Sequence, residues 1–178
     1  MRLWLPILLL AATQAPGELI TTPKKSAEFA ILLPNGGQIL LSTYRGKVCL
    51  VEFLSTTCPH CQHESQLVSK LMPEFAHRGF QALGVAFNEN AKSLVPAFIA
   101  NFQVAYPVGY SPPEPVYSYL GASQTERLMV PQVVLIDRKG VIRLRTAAAG
   151  DNQIQDETFL RSEIEKLLRE PVHTASRK

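Results

Sequence analysis

The sequence predicts an α/β domain of three layers, with helices packed on both faces of a central mixed sheet. Three observations carry that prediction. VCLVEFL at 48–54 is a near-continuous apolar run rich in β-branched and aromatic residues, the pattern of a strand buried on both faces. A helical pattern follows it, and strand and helix patterns then alternate. Finally, an antiparallel hairpin signal at 133–144 and an amphipathic helix over Asp156–Glu170 close the chain.

The elements follow in order. Phe29–Leu33 and Gln38–Leu41 flank Pro34-Asn35-Gly36-Gly37, a turn signal between two short strands that form an extra N-terminal hairpin. After strand 48–54, Pro59–His77 reads as a helix whose Leu67, Val68, Leu71, Met72 and Phe75 share one face. Pro73 removes one backbone donor and should bend it, and Gly79 caps its end. Phe80–Phe87 is a second apolar strand, and Asn88-Glu89-Asn90 caps a helix over Ala91–Phe102. Four prolines make 107–115 a loop, followed by a short aromatic segment at Val116–Leu120. Val133–Ile136 and Val141–Leu144 are joined by Asp137-Arg138-Lys139-Gly140, where glycine should take a positive φ. In the closing helix Phe159, Leu160, Ile164, Leu167 and Leu168 face inward. The expected order is β-β-β-α-β-α-β-β-α.

At 178 residues the chain is long enough for one domain with a real core. The expected domain spans 27–170, preceded by a polar linker at 16–26 and followed by a frayed tail at 171–178. MRLWLPILLLAATQA has one cation, Arg2, an apolar run Leu3–Ala12 and small residues ending at Ala15, the layout of a secretory signal peptide at 1–15. The run is short of the roughly 20 residues of a membrane-spanning helix, although left uncleaved it would act as an anchor. The protein is therefore expected to be exported, to the periplasm or another extracytoplasmic space. The formal charge of +3 is spread along the chain, and acidic residues interrupt the basic C-terminal third. That excludes the aromatic-interleaved basic block of a nucleic-acid binder.

Export changes how the three cysteines read, because disulfides persist outside the cytosol. Ser55 to Glu64 is STTCPHCQHE. Cys58 falls at the junction of strand and helix, where unpaired backbone N–H groups and the helix dipole favour a thiolate. Pro59 suits the first helical position, and Cys61 lies almost one turn further on. The spacing thus sets a resolving thiol beside an exposed nucleophile. A haem anchor needs histidine where Gln62 stands. A zinc site needs a second cluster of ligands, and none follows. A copper- or zinc-binding module built on Cys58, Cys61 and a nearby histidine, His60 or His63, is the non-enzymatic alternative; no metal and no organic cofactor is expected. A structural disulfide across so short a loop would contribute least. Cys49 reads as an inert, buried strand residue.

Glu52 interrupts the apolar strand six residues before Cys58. Its neighbours argue burial, which would raise its pKa and let it relay a proton to or from Cys61. Glu64 could serve similarly from the helix, or simply face solvent.

The strand ending in VEFLSTTCPHC, the later MVPQVVLIDRKGVI and the order of elements resemble thioredoxin-like proteins of the TlpA, ResA and DsbE type. The resemblance covers roughly residues 27–170. It implies a thioredoxin fold and a thiol–disulfide oxidoreductase in which Cys58 attacks and Cys61 resolves. It also implies that Glu52 is the buried carboxylate, that Glu64 matches the acidic residue of the ResA type, and that Pro131 is the family's cis-proline. Pro59, His60, Val130 and Pro131 would then contact substrate, the partners being protein thiols or disulfides and a redox partner protein. Two features depart from the family: Thr57 stands where tryptophan is common, and the Pro59-His60 dipeptide is that of the oxidase DsbA. Fold context points to reduction and the dipeptide to oxidation. A peroxiredoxin-like antioxidant shares the fold, but its P-x-x-x-T-x-x-C signature meets Val51 and Ser55 here.

Overall fold

The computed structural model describes residues 19–171. The expected signal peptide at 1–15 and most of the expected tail lie outside them.

Among the described residues, eight strands form one sheet in the order β1-β8-β7-β4-β5-β6-β2-β3, numbered along the chain. At its centre is β4 (Val48–Leu54), every residue of which is buried. It pairs in parallel with β5 (Phe80–Ala86) and antiparallel with β7 (Gln132–Ile136). Full burial on both faces is why this segment alternates so little between apolar and polar residues. The parallel neighbours β4 and β5 are linked by α1 (Pro59–Phe75), and β5 and β6 (Val108–Tyr110) by α2 (Ala91–Phe102). The hairpin of β2 (Ala30–Leu32) and β3 (Gln38–Leu40) extends the far edge through Leu32 and Tyr110. On the other side β8 (Val141–Arg145) returns from β7, with Gly140 at φ 76° in the turn as expected.

The two faces of β4 feed two cores. Val48, Leu50 and Leu54 pack with α1, α2 and α4 (Glu157–Arg169). Cys49, Val51 and Phe53 pack with the hairpin and α3 (Pro113–Leu120). Phe29, Phe53 and Tyr119 cluster there with ring centroids 5.2–5.5 Å apart. The fold class and the extra N-terminal hairpin are as expected.

Two expectations need correction. The proline-rich stretch 107–115 is not a plain loop: it holds β6 and the start of α3. Proline is tolerated at the first residue of a strand and in the first helical turn, where no N–H is required. Pro107 therefore precedes β6 and still accepts from the Gly84 N–H at 2.9 Å, while Pro113 and Pro115 sit in the first turn of α3. The polar linker at 16–26 also does not run free over its described part. Lys24–Lys25 forms β1 against Ile142 and Val141, and Ile20 bridges Arg145, occupying the unpaired edge of β8.

Candidate active site

Strand β4 ends at Leu54, and the chain turns through Ser55–Thr57 before α1 begins. Cys58 is the N-cap of α1, partly exposed, in extended backbone at φ −87° and ψ 121°, with Pro59 as the first helical residue. Because Phe53 pairs with Gln132, the segment before β7 lies beside this exit. Val130-Pro131 is a cis peptide there, and the Cys58 thiol lies 3.9 Å from the Val130 carbonyl. Cys61 is fully buried behind Cys58, and its Sγ accepts from the Ser55 N–H at 3.4 Å. Both cysteines are thiols in this structure, as is Cys49.

Environment separates these thiols. Burial drives Cys61 well above the ordinary thiol range; the Ser55 N–H opposes this, and the charges of Glu52 and Cys58 add to it. Cys49 is pushed up to about 12, chiefly by burial. It faces the second core near the opposite end of β4, where its nearest polar neighbours are the carbonyls of Tyr44 and Lys47.

Glu52 is fully buried on the α1 face of β4. Its Oε2 accepts from the Tyr106 hydroxyl at 2.6 Å and from the Ser65 hydroxyl at 2.8 Å. Burial raises its pKa to about 7 against the pull of these two donors. Glu64, on α1, is also fully buried rather than facing solvent, and is driven well above the carboxylate range by burial and by Glu52.

His60 is exposed, its Nδ1 3.4 Å from the Gln155 side-chain amide. With Met129, Val130, Pro131, Asn152 and Gln155 it lines a groove of about 280 Å³ beside Cys58. Met129 is 44% exposed, an apolar surface at the groove's rim. Pro59 is exposed next to Cys58. Among the described residues no group of three His, Cys, Asp or Glu side chains could hold a metal ion.

Three residues with a part in this site were not visible in the sequence pattern. Asn88, expected only as part of a helix cap, accepts from the Thr56 N–H at 2.9 Å and donates to the Thr56 hydroxyl at 3.0 Å, tying down the turn before Cys58. Gln132 donates to the Met129 and Ala147 carbonyls at 2.7 and 2.9 Å and accepts from Thr146, which shapes the cis-proline loop from beneath. Tyr106 reaches Glu52 from the proline-rich stretch. A polar residue at the head of an apolar strand was the available signal for Gln132; nothing local distinguished Tyr106.

The AhpC/TSA family pattern matches residues 23–145. The chain is similar to the thiol-disulfide oxidoreductase ResA of Geobacillus thermodenitrificans, 26% identical over 65% of this chain. That match spans 63% of the relative's length, just under two thirds. A ResA of Bacillus thuringiensis is 22% identical over 67% of this chain and 65% of its own. Among solved structures, a thiol:disulfide interchange protein of the thioredoxin family from Chlorobium tepidum superposes with a TM-score of 0.69 at 23% identity, covering 82% of this chain and 97% of that one. A thiol:disulfide interchange protein from Bacteroides sp. gives 0.67 at 19% identity, over 88% and 97%. These structures share its thioredoxin-like fold, and with the family pattern running through more than half of its length, the chain belongs to the AhpC/TSA family.

Proposed function

We propose that the protein is an exported thiol–disulfide oxidoreductase that exchanges a Cys58–Cys61 disulfide or dithiol with protein thiols. The observation that carries this is the asymmetry of the pair: Cys58 is accessible at a helix N-terminus, and Cys61 is sealed behind it. In the reducing direction the Cys58 thiolate attacks a substrate disulfide and displaces one substrate sulfur as thiolate. Cys61, having lost its proton to the buried carboxylates, then attacks Cys58 Sγ, so the internal disulfide forms and the second substrate thiol leaves. The reverse sequence oxidises a substrate dithiol. The substrate backbone would lie in the groove along Val130 and Pro131, with Pro59 and His60 on the opposing wall. A cationic start followed by an apolar run supports export, and the catalytic domain spans 27–170 together with the edge pairing that Ile20 and Lys24–Lys25 add to its sheet. Among the described residues no helix is long and apolar enough to cross a membrane.

The test is turnover of a peptide disulfide by wild type, Cys58→Ser and Cys61→Ser. Loss of all exchange in Cys58→Ser, with a single attack and no release in Cys61→Ser, is expected; equal residual activity in both would overturn the mechanism. The potential of the couple decides the direction, about −120 mV marking an oxidant and about −270 mV a reductant. The family match favours one second reading, peroxide reduction at Cys58. Peroxide consumption that survives Cys61→Ser would select it.

A further inference from the structure

Three oxygens around this site are buried without a hydrogen-bond partner: Oε1 of Glu52 and both oxygens of Glu64. Buried polar atoms are nearly always paired, so three orphans in two neighbouring side chains call for a chemical explanation. The fourth oxygen is the opposite case. Glu52 Oε2 receives two donors, the Tyr106 phenol and the Ser65 hydroxyl. Ser65 is next to Glu64 on α1 and one helical turn beyond Cys61, so the carboxylates and the resolving thiol are close together. The segment carrying Tyr106 is itself tied to α1: the Ala105 N–H donates to Ser69 Oγ at 3.0 Å, and Ser69 donates to the Ser65 carbonyl at 2.7 Å.

This arrangement is unequal by construction. Donors to Oε2 favour the ionised form of Glu52, whereas Glu64 has no donor to support a charge. Two buried carboxylates that sense each other cannot both ionise cheaply. Among the described residues, Cys61 from α1 and Tyr106 are the titratable groups that sense these carboxylates, and Tyr110 from β6 packs at the margin of the same core. Strands β5 and β7 and helices α2 and α4 bring apolar side chains to this core.

We propose that Tyr106 is a positioning residue which, with Ser65, pins Glu52 by one oxygen, so that Glu52 and Glu64 together hold one proton beneath Cys61 and take up a second when that thiol ionises. The inference rests on the exchange mechanism above. In the resolving step the Cys61 proton passes to the carboxylate pair, taking it from one negative charge to none. The Cys61 electron pair forms the bond to Cys58 Sγ, the bond from Cys58 to the substrate sulfur breaks, and the leaving thiolate is protonated by water. The substrate disulfide is reduced by two electrons and the dithiol oxidised by two. The pair later returns one proton to solvent. The buried site thus never carries two negative carboxylates.

The test is a titration of the glutamate side-chain carboxyl carbons by NMR in the full, reduced chain, for wild type, Tyr106→Phe and Ser65→Ala. In wild type Glu52 should ionise near neutral pH, and Glu64 should ionise well above the ordinary carboxylate range rather than alongside a solvated glutamate. Tyr106→Phe keeps the ring and removes one donor, so the Glu52 step should rise by about one to two pH units. Ser65→Ala should move it the same way by a smaller amount. The pH profile for release of a mixed disulfide by Cys61 should move with it, a change that lost packing alone would not produce. An unmoved step in both variants, or two carboxyls that ionise independently in the ordinary range, would overturn the proposal. No exchange by the wild-type protein, with these titrations as described, would instead overturn the proposed function and leave the carboxylate pair standing.

Discussion

Replacing Glu52 by glutamine should shift stability toward the variant as pH rises from 4.5 to about 7, and the gain should level off above that. Glu52 is fully buried, and its carboxyl titrates at about 7 in the fold against 4.5 when solvated. Between those values the folded state holds a proton that the unfolded chain has released. Stability therefore falls as pH rises through this window: the contribution is intact below pH 4.5 and lost above about 7. A displacement of about 2.5 pH units corresponds to about 3 kcal/mol. Glutamine is nearly isosteric. Its oxygen can take the place of Oε2 under Tyr106 and Ser65, and its amide the place of the orphaned Oε1. The stronger hydrogen bonds accepted by the ionised carboxylate are already contained in its titration at about 7, and the amide N–H groups, which meet no acceptor there, cost the variant an amount that does not vary with pH. Urea denaturation of reduced wild type and Glu52→Gln at pH 4.5 and pH 8 measures the effect. The stability difference should shift toward the variant by about 3 kcal/mol, at no more than about 1.4 kcal/mol per pH unit. A difference that stays flat would refute a buried, titrating Glu52.

Two further outcomes follow from the frame around the site. Asn88→Ala removes both links to Thr56 and should cost about 1–3 kcal/mol in a denaturation midpoint, while slowing exchange by loosening the turn before Cys58. In Gly109→Ala a Cβ would overlap the Leu32 carbonyl and lie 2.6 Å from Ile31 Cγ2, both in the adjacent strand β2. Amide hydrogen exchange should then show the β2–β3 hairpin losing protection first, with β4 and β5 retaining theirs.

How far the sequence reaches can be followed residue by residue. The central strand was legible because burial on both faces leaves an unbroken apolar run, and the hairpins because their turn residues are explicit. What escaped was structure whose signal proline masks. Val108–Tyr110 and Pro113–Leu120 use prolines at positions needing no donor, yet four prolines in a row of nine read as loop. Strand β1 escaped because two lysines at a sheet edge carry no burial pattern. At the site, Cys58 and Cys61 were given by spacing and Glu52 by its intrusion into an apolar strand. Glu64 was left between core and solvent, since periodicity alone cannot say how far the helix face extends beneath the thiols. Tyr106 and Gln132 act through pairings between residues distant in the chain, Glu52 with Tyr106 and Gln132 with Thr146, which no local window contains.

The central claim is that Cys58 attacks and Cys61 resolves. Its most direct measurement is the site of the covalent adduct when the full chain carrying Cys61→Ser is incubated with a peptide disulfide and analysed by mass spectrometry under non-reducing conditions. A stable mixed disulfide on Cys58, absent from Cys58→Ser and released only by added thiol, is the predicted result. An adduct on Cys49, or equal labelling of the two variants, would contradict it.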